Sequence, residues 1–133
     1  MYKVLHVYPQ LNCGGTEMVI RNLTKFSDHS QFDFTILTQK IGPEDSVFED
    51  LGCNIQVVPY VSRKDYYERL MSFFKKNEFI AIHVHMHRQL GLVLKAAKHS
   101  GIKHRIAHSH NARIDLPSFI WPFRRLFFYN HER

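Results

Sequence analysis

Five short runs rich in apolar and β-branched residues, at positions 2–8, 32–38, 54–59, 79–85 and 103–108, alternate with stretches of helical spacing at 16–26, 43–51, 64–76 and 88–99. Met18, Ile20, Leu23 and Phe26 recur at helical intervals in the first of those stretches. Strands of six or seven residues cannot return in parallel without a crossover, and a helix is the usual one. The alternation therefore predicts an α/β fold: right-handed βαβ units forming a Rossmann-like parallel sheet sandwiched by helices.

The punctuation agrees. Gly52 and Gly101 follow the second and fourth helical stretches, where left-handed C-caps belong, and Pro43 stands in the first turn of the second. The chain of 133 residues is one domain's worth. Residues 1–111 carry the repeating pattern, with no internal repeat or linker. Residues 112–133 change character, to a loop with Pro117 and then FIWPFRRLFFYNHER, an aromatic and basic stretch that begins a further helix. The expectation is that the domain is cut short there, as an excised piece, a truncated product or half of a split enzyme.

Charge narrows the partners. Residues 1–62 hold four basic and seven acidic side chains, and residues 63–133 hold 14 and five, so the formal +6 arises in the second half. An anionic partner suits that half. The basic residues form no single run, which speaks against nucleic acid. No apolar run approaches the 18 or so residues needed to cross a bilayer, and nothing at the N-terminus reads as a signal peptide. Cys13 and Cys53 read as free thiols of a reducing cytoplasm.

In an open parallel sheet, ligands bind beyond the C-terminal ends of the strands. The first run leads into Pro9-Gln10-Leu11-Asn12-Cys13-Gly14-Gly15-Thr16-Glu17 and then a helix. Paired glycines let backbone approach a bulky anion, and a helix N-terminus offers free N–H groups. The segment is therefore a candidate diphosphate cradle; the bland reading is a turn with Thr16 as N-cap. It is neither GxGxxG nor a Walker sequence with its lysine.

Seven of the ten histidines fall between positions 83 and 110. Alternation along a strand lets His83, His85 and His87 share one face, and His108 and His110 another such set on the neighbouring strand. Two chemistries compete for these imidazoles. A zinc site, as in hydrolases with paired HxH motifs, is one, but no Asp or Glu lies between Glu78 and Asp115 to accompany it. The other is recognition of a hydroxylated, anionic ligand, with imidazoles and Asn111 for sugar hydroxyls and Arg88 and Arg113 for phosphate. A further reading has His83 simply buried and hydrogen-bonded in its strand and His87 exposed.

The segments KVLHVYPQLNCGGTEMVIRNL, LGCNIQVVP and FIAIHVHMHRQLGLVLKAAKHSGIKHRIAHSHNAR together resemble the N-terminal domain of family 4 retaining glycosyltransferases. Among these, the bacterial enzymes that build capsular, exopolysaccharide or O-antigen chains are the most similar. The resemblance runs in order over residues 2–113, and the GGTE loop and HSHN are its specific marks. It implies half of a GT-B architecture, with the acceptor held mostly by this domain and the nucleotide sugar by a second domain across a cleft. It also implies that Gly14, Gly15 and Thr16 approach the donor's diphosphate and that His108 lies by the transferred sugar as the catalytic histidine. Glu17, His85, Arg88, His110 and Asn111 would then line the acceptor side.

The reaction implied transfers a sugar with retention, through an oxocarbenium-like transition state, to a saccharide or lipid-linked acceptor. No metal and no cofactor beyond the nucleotide sugar is required. Without a donor domain the chain alone should be inactive, and a non-catalytic subunit paired with a donor-binding chain is the rival expectation. The tail, with Phe119, Trp121, Phe123, Phe127, Phe128, Arg124 and Arg125, is expected to pack on the remainder of the fold. Its alternatives are peripheral contact of residues 118–129 with the inner membrane, and self-association.

Overall fold

The computed structural model of the chain describes residues 1–110. The expectations for Asn111, Arg113 and the aromatic tail lie outside the described residues.

Nine elements follow one another: β1 (Tyr2–Val7), α1 (Gly15–Lys25), β2 (Phe32–Thr38), α2 (Asp45–Asp50), β3 (Asn54–Val57), α3 (Arg63–Lys76), β4 (Ala81–Val84), α4 (Leu90–His99) and β5 (His104–Ala107). All five strands are parallel, in the order β3-β2-β1-β4-β5. The expected Rossmann-like sandwich is thus the observed fold, with β1 at its centre. Val4 stands opposite both Phe34 of β2 and Ala81 of β4, and His6 stands opposite Ile36 and His83.

Alternation along the strands sorts side chains into two cores. Leu5, Val7, Leu37, Ile82 and Val84 pack with Tyr66, Leu70 and Phe74 of α3 and Val93, Ala96 and Ala97 of α4. On the other face Phe34 and Ile36 pack with Ile20 of α1 and Phe48 of α2. His6, between Val4 and Tyr8 in the alternation, belongs to that second face. Cys13 is exposed, Cys53 is buried, and both are free thiols.

Helix boundaries carry three corrections. Thr16 is not an N-cap: Gly14 takes that place in extended conformation, and its carbonyl accepts the Met18 N–H at 3.2 Å. Pro43 precedes the N-cap of α2, Glu44, because a turn from Gly42 to Asp45 comes first. Helix α4 begins at Leu90 rather than 88, since Gln89 sits at φ 57°, in the left-handed region that interrupts helical entry. Gly52 and Gly101 do adopt the left-handed C-cap conformation, at φ 87° and 81°. Among the described residues no helix is long and apolar enough to cross a membrane.

Candidate functional site

The chain leaves β1 toward β2 on one side, and β4 and β5 lie on the other. Between β1 and β4 the connections diverge, and this is where an open α/β sheet leaves a crevice. Three segments end there: the glycine loop after β1, residues 85–89 after β4 and residues 108–110 after β5.

The glycine loop is held from beneath. Leu11 is fully buried, and its carbonyl accepts the Glu44 N–H at 3.2 Å, while Pro9 O accepts from Gln39 N at 2.9 Å and Gln10 Nε2 donates to Ile41 O at 2.8 Å. Glu17 is 3% exposed, and its Oε1 accepts the Asn12 N–H at 2.8 Å, which closes the loop onto the first turn of α1. A Cβ on Gly14 would come 2.9 Å from Glu17 Oε2, whereas one on Gly15 would meet nothing within 4 Å. Neither glycine has a positive φ. Among the described residues nothing demands glycine at position 15, and the approach to the helix N-terminus there is open. The N–H groups of Gly15, Thr16 and Glu17 precede the first intrahelical hydrogen bond and carry the positive end of the helix dipole.

Across the crevice stand five histidines on one sheet face. His6 Nδ1 and His85 Nε2 are 3.0 Å apart, His85 Nδ1 and His110 Nε2 2.8 Å, and His83 Nε2 and His108 Nδ1 3.0 Å, so the rings form two hydrogen-bonded rows. The His108 and His110 rings stack with centroids 4.0 Å apart. Burial, reinforced by neighbouring imidazoles, disfavours the charged form of four of them, His6, His83, His85 and His110. The His6 ring is pushed down to about 3, by burial first and His83 second, and His83 to about 4, by burial and then His108. His85 is lowered as well, chiefly by burial and then by His83, and so is His110, where Glu17 opposes the shift.

The structure therefore brings His85, His108 and His110 together, with Gly14, Gly15 and Thr16 at the mouth of α1. Glu17 is inside the loop rather than on its rim, and His85 is 2% exposed with both ring nitrogens engaged. Arg88 and His87 are exposed just before α4; His87 lies past the end of β4 and takes no part in the rows, while His83 is hydrogen-bonded as the plainer reading has it.

One participant escaped sequence reasoning. His6 lies 77 positions from His83 in the chain and meets it only through strand order, although its parity with Val4 and Tyr8 was visible. Glu17 was expected on the acceptor side; what the sequence did not announce is its burial against the glycine loop. The histidine clusters lack acids nearby in sequence, but the fold sets this carboxylate where it acts on His110.

In fold the domain is similar to the C-terminal domain of PF1911 hydrogenase from Pyrococcus furiosus. The crystal structure of its residues 83–215 matches with TM-score 0.54 at 14% identity, covering 80% of this chain and 91% of that one. That of residues 78–226 gives 0.53 at 13% identity, covering 80% and 89%. At such identity the likeness speaks for the fold alone. No family model matches the chain. In sequence the chain is 32% identical over 115 residues to a Bacillus subtilis (strain 168) protein named "Putative glycosyltransferase EpsF", a match that takes 82% of this chain and 30% of that protein. This Rossmann-like domain is thus related by sequence to a bacterial protein named for glycosyl transfer, and it spans about three tenths of that relative's length.

Proposed function

We propose that the chain is the acceptor-side domain of a retaining glycosyltransferase acting in cell-surface polysaccharide synthesis, which moves a sugar from a nucleotide-sugar donor to a saccharide or lipid-linked acceptor. The observation that carries this reading is the sequence likeness over 82% of the chain. The crevice supports it, since an N–H-bearing helix terminus with an unobstructed Gly15 lies at the same end of the sheet as a set of hydrogen-bonded imidazoles.

In this reading the backbone N–H groups at Gly14, Gly15 and Thr16 take the charge that develops on the departing diphosphate. His108, half-buried and fixed by His83, hydrogen-bonds the transferred sugar. His110 and Asn111 meet acceptor hydroxyls, with His85 holding His110 from behind and Glu17 shaping the loop. Arg88, exposed at the entry to α4, attracts phosphate on donor or acceptor. A donor-binding domain, covalently continuous or a separate chain, completes the cleft.

The test separates fold from function. Gly15→Ala adds a methyl group into open space at a helical position, so thermal stability should hold or rise by about 0.5 kcal/mol. Binding of nucleoside diphosphate sugars, followed by ligand-observed NMR, should nevertheless fall at least tenfold. In a polypeptide joining this chain to a donor-binding domain, His108→Ala should lower transfer by about 100-fold, the usual scale for losing one positioned polar group at a reacting centre. Donor binding indifferent to Gly15→Ala, together with transfer unchanged in His108→Ala, would sink the proposal.

A further inference from the structure

His85, His108 and His110 each offer a ring nitrogen within 4.8 Å of those of the other two, on the half-open rim beyond β4 and β5. We infer that these three imidazoles form a binding site for one borderline transition-metal ion, Zn²⁺ by preference, a site that shares His108 and His110 with the reaction proposed above, so that ion and substrate compete for them.

Spacing supports it first. Nitrogens bound at about 2.1 Å to one ion, with angles near 90–110°, stand roughly 3.0–3.4 Å apart. His85 Nδ1 and His110 Nε2 are already 2.8 Å apart, so an ion replacing the proton between them needs the pair to open by only a few tenths of an ångström.

The second support is what lies behind the ligands. A metal-bound imidazole ordinarily gives its other N–H to a fixed acceptor, which sets tautomer and ring orientation. His85 has Nε2 on His6 Nδ1, and His108 has Nδ1 on His83 Nε2, both at 3.0 Å. Each ligand is thereby left its other nitrogen, Nδ1 of His85 and Nε2 of His108, for the ion. His6 is 2% exposed, and its Nε2 is buried with no hydrogen-bond partner among the described residues. Valine or isoleucine would fill that strand position without leaving a polar atom stranded, so the face is built for more than packing.

Third, the fold answers the main objection to a metal, the lack of an acid near either cluster. Glu17, nearly buried in the first turn of α1 just after β1, is a carboxylate at the same end of the sheet as the three imidazoles. Three imidazoles with no oxygen ligand select zinc, cobalt, nickel or copper over magnesium or calcium. Remaining coordination positions open to water.

The full chain, stripped with chelator and titrated with Zn²⁺ or Co²⁺ alone, should bind one ion and show the visible absorption of imidazole-bound Co²⁺. His108→Gln and His110→Gln should each weaken binding at least tenfold, whereas His104→Gln, on the exposed part of β5, should bind as the parent does. His110 lies beyond the last described strand, so its variant keeps the fold even if His108→Gln does not; far-UV circular dichroism reports that. Less than one ion retained by the parent at micromolar free Zn²⁺ overturns the site. So does equal affinity in His110→Gln, which would assign the ion to surface histidines.

Discussion

In chelator-containing buffer the chain is expected to lose several kcal/mol of stability between pH 7 and pH 4 and to unfold in mild acid. The cause is the row of imidazoles held neutral inside the sheet face. In the unfolded chain they titrate near 6.5; in the fold His6 falls to about 3 and His83 to about 4, mainly through burial, and His85 is lowered for the same reason. A depressed pKa means that the unfolded state takes up the proton first as acid is added. Stability is therefore complete above pH 6.5 and drains away as pH falls toward the folded values. Each such group removes up to about 1.4 kcal/mol per pH unit, so three of them together remove up to about 4 kcal/mol for every pH unit, and a unit or two is comparable to a typical total stability of about 5–15 kcal/mol. Urea unfolding at pH 7, 6 and 5 measures the slope, and His6→Leu should lower it by about one proton. A stability that stays level from pH 7 to 5 would show that the histidines are not held neutral.

That acid-sensitive face also marks the boundary of what could be read from the chain. The strands were legible because Val, Ile and Phe runs of period two are local signals, and Gly52 and Gly101 announce helix ends through a backbone conformation few other residues take. Strand order is not local. Nothing near Tyr2–Val7 says that β4 rather than β3 lies beside β1, and so the partnership of His6 with His85 had no signature within either segment. The Gly14-Gly15 pair was recognisable by composition. Its internal anchor was not, because a glutamate in a first helical turn usually faces solvent, and Glu17 is buried only because Asn12 folds back onto it. Gln89 was missed for a third reason: a left-handed glutamine is imposed by its surroundings against its own preference, and a Gln39 Nε2 to Gln89 Oε1 contact at 3.4 Å is part of that setting.

Gly42→Ala should be the most damaging single methyl group in the domain. A Cβ at that position would fall 2.2 Å from the Leu11 carbonyl oxygen and 2.9 Å from both its carbonyl carbon and its nitrogen. Those are backbone atoms, so no side chain can swing aside. Leu11 cannot retreat, being fully buried and bonded through its carbonyl to Glu44, while Gln39 to Pro9 and Gln10 to Ile41 fasten the same two loops on either side. Relief therefore requires the β2–α2 loop and the glycine loop to part, breaking several hydrogen bonds and uncovering apolar surface. Overpacking of this kind costs about 3 kcal/mol, and in a domain of this size that lowers Tm by some 10–20 °C. The same substitution at Gly14 meets only the end of the Glu17 side chain, and at Gly15 it meets nothing, so the three glycines should rank 42, 14, 15 in cost. Thermal melts of the three alanine variants decide the matter. A Gly42→Ala protein that melts within a degree or two of the parent would mean that the loops do not touch, and the cradle at α1 would lose its support.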